Sequence, residues 1–162
     1  MPPSTVVLRL SDAPLEEVAE LLSRLGLELE MVADGHIIPG SFWGDEEAGL
    51  IGKVLHARND TPIHSILHEA CHYVCMDEQR REGLHTNAGG DYEEENAVCY
   101  LQILLAERIP GFGRNRCMAD MDTCGYSFRL GSARAWFEED AEDARDWLVG
   151  RGILADRGEI RV

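Results

Sequence analysis

The segment His68-Glu69-Ala70-Cys71-His72 carries the residue types and spacing in this 162-residue chain that most directly suggest chemistry. In a helix, four residues advance the chain by about 400°, so both imidazoles leave one face, a turn apart, and can reach a single Zn²⁺. Glu69 stands about 100° from His68 and about 60° from His72, beside such a cation rather than on it. A carboxylate there can take a proton from a water polarised by the metal. With 6 His and 18 Glu in the chain, this pattern is expected by chance roughly 0.02 times.

Two imidazoles leave a zinc site one protein ligand short, so a third His, Asp, Glu or Cys should follow on another element. Glu93, Glu94 and Glu95 are the candidates. In a helix over 92–108, Ala97, Val98, Leu101, Leu104 and Leu105 form an inward stripe, and Glu94 falls close to its centre. Glu95 falls near Gln102, on the polar side, and Glu93 at the other margin near Tyr100. A carboxylate aimed into a core is costly unless a cation or hydrogen bonds compensate it, so Glu94 is chosen as third ligand. The competing reading is a capping box of Asp91 and Glu94, which would leave Glu95 or Glu93 for the metal.

The arrangement His68-Glu69-Ala70-Cys71-His72, followed 22 residues after His72 by Glu94-Glu95-Asn96-Ala97, resembles the HExxH…ExxA pattern of gluzincin metallopeptidases, in particular the small minigluzincins and their phage-repressor-cleaving bacterial relatives. The resemblance covers about residues 61–106. It implies a small twisted sheet with an edge strand lining a substrate cleft, packed on the metal-bearing helix, and a second helix supplying the glutamate. Residues 50–58 are the expected cleft strand, and Ala97 the small residue that lets the helices approach. It also implies peptide-bond hydrolysis of a peptide or protein substrate by zinc-activated water. His68, His72 and Glu94 would hold Zn²⁺, and Glu69 would serve as general base and then as proton donor to the leaving amine. His85, Tyr92 and Tyr126 are the candidate donors to the developing oxyanion. The alternative function is a non-catalytic or regulatory zinc-binding module on the same scaffold, with Cys71 or Cys75 closing a structural site. Peptide deformylase also joins HExxH to a cysteine, but that cysteine lies upstream, and this chain has none before Cys71.

The remaining polar residues have ordinary readings. His64, near the first turn of its helix, is read as a surface or capping side chain, and Cys99, Cys117 and Cys124 as core. Arg80-Arg81 is too short for a nucleic-acid patch.

The elements that must position these groups follow from period and punctuation. A strand is expected over 5–10 and an amphipathic helix over 14–25, closed by Gly26. A strand with one wet face should cover 27–31, and two more are expected over 36–43 and 50–58, with Gly44 through Gly49 as the turn. Thr61 as N-cap and Pro62 at the first position start a helix to about Met76, with Ile63, Ile66, Leu67, Ala70 and Val74 against the sheet. A polar loop over 79–90 precedes the helix over 92–108. Two further helices are placed at 114–123 and 132–149, with an edge strand over 153–162. The acidic cluster Glu138 to Asp146 reads as a solvated face backed by Trp136, Phe137, Ala144, Trp147 and Leu148. The predicted class is α+β, with residues 1–162 as a single domain.

Composition limits the alternatives. A formal charge of −15 disfavours nucleic acid and anionic lipid as partners. No stretch approaches the roughly 18 apolar residues of a membrane span, and the N-terminus lacks a leader pattern, so a cytoplasmic location is expected. Five cysteines are read as reduced thiols rather than a disulfide framework.

Overall fold

The computed structural model describes residues 7–41, 44–83 and 91–161. Among them the chain is a mixed α+β fold of seven α-helices and one three-stranded sheet. Helix α1 spans Leu15–Arg24, strand β1 Glu28–Met31, β2 Gly49–Ile51 and β3 Val54–Ala57. Helices α2 (Ile63–Cys75), α3 (Glu78–Glu82), α4 (Tyr92–Ala106), α5 (Gly113–Thr123), α6 (Ala133–Glu139) and α7 (Glu142–Gly150) follow.

The sheet order is β1-β3-β2, with β1 parallel and β2 antiparallel to β3. The expected strand over 50–58 is thus a hairpin, turned at Gly52, whose φ of 56° suits a tight reversal. Of the expected cleft strand, β3 is central with partners on both sides, and β2 alone lies at an edge of the sheet. No strand forms over the described part of 36–43, where Ser41 makes one bridge to Gly49 and Leu50 N–H donates to the Gly40 carbonyl. That segment passes so close to β2 that a Cβ at Gly49 would lie 1.9 Å from the Pro39 carbonyl oxygen.

The expected first strand falls partly outside the described residues. Within them, Arg9 bridges Pro62, Ile63 N–H donates to the Leu8 carbonyl, and a 3-10 turn covers Leu10–Asp12. Leu8 N–H donates to the Asp120 carboxylate, so this segment fastens the start of α2 to α5 rather than extending the sheet. Thr61 does not cap α2; its hydroxyl accepts from Arg58 N–H, and Pro62 occupies the cap position. The expected helix over 132–149 is two helices, α6 and α7, because Asp140 leaves helical geometry and takes Arg129 in a two-point ion pair. The tail makes a single bridge, Leu154 to Ile160, in place of an edge strand. None of these helices is long and apolar enough to cross a membrane.

The core decides how much of the site is dry. Twelve of the 13 residues of α2 are buried, because β3 covers one side while α4 and α5 cover the others. Ile63, Ile66, Leu67 and Ala70 are at most 1% exposed, as the amphipathic reading required. The histidine-bearing face is covered as well, leaving access near His68. Helix α4 is buried around most of its circumference, between α2, α5 and α7.

Candidate metal centre

Helical spacing in α2 brings His68 and His72 together, with ring centroids 4.8 Å apart and nearly perpendicular rings. Both present Nε2 to one carboxylate, and it belongs to Glu95, not Glu94. His68 Nε2 lies 3.0 Å from Glu95 Oε1, and His72 Nε2 lies 3.1 Å from Oε2. The ligand atoms of these three residues fall within 4.8 Å of one another, and they form the one such His/Cys/Asp/Glu group among the described residues. Donors around a tetrahedral zinc at about 2.0–2.1 Å stand about 3.3 Å apart, so two imidazole nitrogens and one carboxylate in this arrangement fit the ion. Cys71 and Cys75 are buried and stand outside the group.

Glu94, the third ligand expected from sequence, stands outside this group, and Glu95 takes its place beside the imidazoles. Glu94 is buried, and its carboxylate takes a two-point contact from Arg80 of α3, Nη1 to Oε1 at 2.7 Å and Nη2 to Oε2 at 3.0 Å. The premise that an inward carboxylate needs compensation holds, but the cation is a guanidinium. The Asp91 side chain accepts from Glu94 N–H, which is half of a capping box; the Glu94 side chain is committed to Arg80. Arg81 serves structure too, donating to the Tyr73 and Val74 carbonyls at the end of α2 and lying over the Tyr73 ring. The polar side of α4, which should have faced water, instead faces α2.

Gln102, two turns after Glu95 and fully buried, shows what that polar seam does. Its Nε2 donates to the His64 carbonyl at 2.8 Å, which fixes the amide so that Oε1 accepts from His68 Nδ1–H at 3.0 Å. With Nδ1 protonated, the Nε2 lone pair of His68 is directed toward a cation at Glu95, the orienting role such hydrogen bonds have around metal-bound histidines. Without a cation, Nε2 faces the carboxylate only as N–H. Burial opposes the His68 imidazolium, but Tyr126, Cys99 and Glu95 outweigh it, and its pKa is raised well above the ordinary value. Burial likewise acts against the Glu95 carboxylate, yet the hydrogen bonds from His68 and His72 hold it far below the carboxylate range. Protons thus hold the metal-free group together, and a divalent ion entering it must displace them. Among the described residues, none pairs with the buried Nδ1 of His72.

His68, Glu69 and Glu95 open onto a cavity of about 510 Å³, lined also by Glu47, His64, Tyr92 and Tyr126. Glu69 is 7% exposed, and its pKa is raised chiefly by burial, with His68 and His72 opposing and Glu95 and Glu47 adding to the rise. Of the candidate oxyanion donors, His85 lies outside the described residues, and Tyr92 stands 75% exposed at the rim. Tyr126 packs edge-on against His68 with centroids 5.5 Å apart. Its segment is held in place by stacking of Tyr126 on Phe128 and of Phe128 on Trp136 from α6.

His64 is neither a surface nor a capping group. It is 2% exposed, with Nε2 3.0 Å from Cys124 Sγ and Nδ1 3.2 Å from the Tyr126 hydroxyl. Cys124, expected in the core, is exposed; its thiol is pushed up to about 11, chiefly by burial of the sulfur side, and keeps its proton. Two tautomers of His64 satisfy these contacts: with Nδ1 protonated the thiol donates to Nε2 and the phenol keeps its proton for a group in the cavity, and with Nε2 protonated the phenol donates to Nδ1. Desolvation, with smaller contributions from His68 and Arg9, lowers the His64 pKa to about 4. An unfolded histidine titrates near 6.5, so the stabilisation from a neutral His64 is complete above about pH 6.5. It falls away as pH drops toward 4, by up to roughly 3 kcal/mol. Long-range ¹⁵N NMR of the metal-free protein should show His64 still neutral at about pH 5.5; an imidazolium with a midpoint near 6.5 would refute the assignment.

No protein-family model, curated protein or solved structure matches this chain. The class that can be stated is an α+β protein with a His/His/Glu group able to hold a metal ion.

Proposed function

We propose that the protein is a zinc-dependent peptidase of zincin type. The observation that carries this reading is the convergence of His68 Nε2 and His72 Nε2 on the Glu95 carboxylate at the wall of an accessible cavity, with Glu69 beside them. When bound, zinc acts as a Lewis acid that brings the pKa of a water toward about 7. His68 and His72 donate through Nε2 and Glu95 through its carboxylate, while Gln102 keeps His68 in the tautomer that leaves Nε2 free to bind. Glu69 accepts a proton from water and later returns it to the leaving amine; its raised pKa brings donor and acceptor roles closer together near neutral pH. In the His64 tautomer that carries its proton on Nδ1, the Tyr126 hydroxyl accepts from His64 and donates its own proton to the carbonyl oxygen as negative charge grows there. Burial of 12 of the 13 residues of α2 lowers the local dielectric around the imidazoles and Glu69 and strengthens their interactions.

The test is hydrolysis of a degenerate peptide library by the full chain reconstituted with one equivalent of zinc. Cleavage is expected to stop with 1,10-phenanthroline and to return when zinc is restored in excess. Cleavage that persists undiminished in chelator would overturn the proposal, as would a zinc-replete protein inert toward the whole library.

A further inference from the structure

Glu47, on the turn before β2, lines the cavity that holds Glu69 and Glu95, but the chemistry proposed above does not use it. Its side chain is half-buried and takes a hydrogen bond from the Ser65 hydroxyl, whose oxygen in turn accepts from Ala48 N–H. The α2 helix therefore fixes this carboxylate close to His68 and Glu69. Among the described residues, no lysine or arginine lines the cavity. With a divalent cation in place, the charges of Glu69 and Glu95 are balanced, and Glu47 leaves the cavity one negative charge in excess. Burial raises the Glu47 pKa, the Ser65 hydrogen bond opposing it, so a cation brought alongside would relieve the cost of its charged form.

We propose that Glu47 determines specificity, taking an organic ammonium or guanidinium group of the substrate, either its free α-amine or a lysine or arginine side chain, within one side-chain length of the scissile bond. The inference rests on the peptidase reading for its meaning, but not for its test. Three small probes separate the two sources: leucinamide carries only an α-amine, Nα-acetyl-lysine amide only a side-chain amine, and Nα-acetyl-norleucine amide neither. Binding of each to the zinc-loaded full chain is followed through the Ala48 and Ser65 amide resonances. One of the cationic probes is expected to bind about tenfold more tightly than the neutral one, and its identity names the source. In Glu47→Gln that ratio should fall to about one, whereas Glu47→Asp, which keeps the charge, should retain part of it. An amine bound directly by zinc would keep its advantage in Glu47→Gln, so a preference surviving in that variant overturns the proposal, as does equal binding of all three probes by the parent protein. A Glu47-dependent preference in a zinc-replete protein that hydrolyses no peptide would refute the peptidase reading and leave the inference standing.

Discussion

Glu95→Ala protein, dialysed against micromolar zinc and stripped of loosely held ion, is expected to retain almost no metal, whereas Glu94→Ala retains about one equivalent. The contrast follows from geometry. Glu95 is the carboxylate that both Nε2 atoms face, and its loss leaves two imidazoles on a single helix. Loss of an outer-shell partner typically weakens metal binding 10–100-fold, so loss of a direct ligand should exceed about 100-fold. Glu94→Ala removes instead the two-point acceptor for Arg80 and leaves a small void between α3 and α4. Breaking a fully buried pair costs about 3–5 kcal/mol, but Arg80 is 36% exposed and can be rehydrated, so a loss of about 1–3 kcal/mol is expected. Elemental analysis beside denaturant unfolding of both variants separates the two effects. Zinc lost from a well-folded Glu94→Ala protein, or kept at full stoichiometry by Glu95→Ala, would reverse the assignment.

Glu69→Gln should hold zinc with nearly unchanged affinity and lose hydrolysis by about 10²–10⁴-fold. Glutamine keeps the shape of the side chain and a hydrogen-bond acceptor, so substrate and water can still be placed, but it cannot carry a proton from one to the other. The substitution also removes a buried carboxylate whose charged form burial disfavours, so the variant should unfold at no lower denaturant concentration than the parent. Turnover within about threefold of the parent would remove Glu69 from the mechanism, whatever the metal content.

The helices were easier to read from sequence than the sheet, and the reason is local. The α2 pattern from Ile63 to Val74 recurs at helical spacing inside one segment, and α1, α4 and α5 likewise lie within a few residues of their expected ends. The strands are three or four residues long and depend on partners distant in sequence. Pairing of Glu28–Met31 with Val54–Ala57 could not be read from either segment alone. Glu94 shows a subtler failure. The wheel assigned one inward stripe to α4, which suits a helix with one wet side, whereas this helix is surrounded. Gln102, fully buried, marks the seam that a surface-helix reading mistakes for solvent. The seven-residue separation of Glu95 and Gln102 was visible, but its meaning depends on what packs against it.

The spacing of His68, Glu69 and His72 belongs to the covalent chain and to the pitch of a helix, so both imidazoles and the acid beside them were settled by α2 forming at all. Which glutamate meets them depends on the rotation of α4 about its own axis. That rotation is selected by long-range contacts: Gln102 bonded to His68 and to the His64 carbonyl, and Arg80 drawing Glu94 to the other side. A step of one residue turns a helix by about 100°, so neighbours in sequence can serve opposite faces, and only tertiary packing tells them apart.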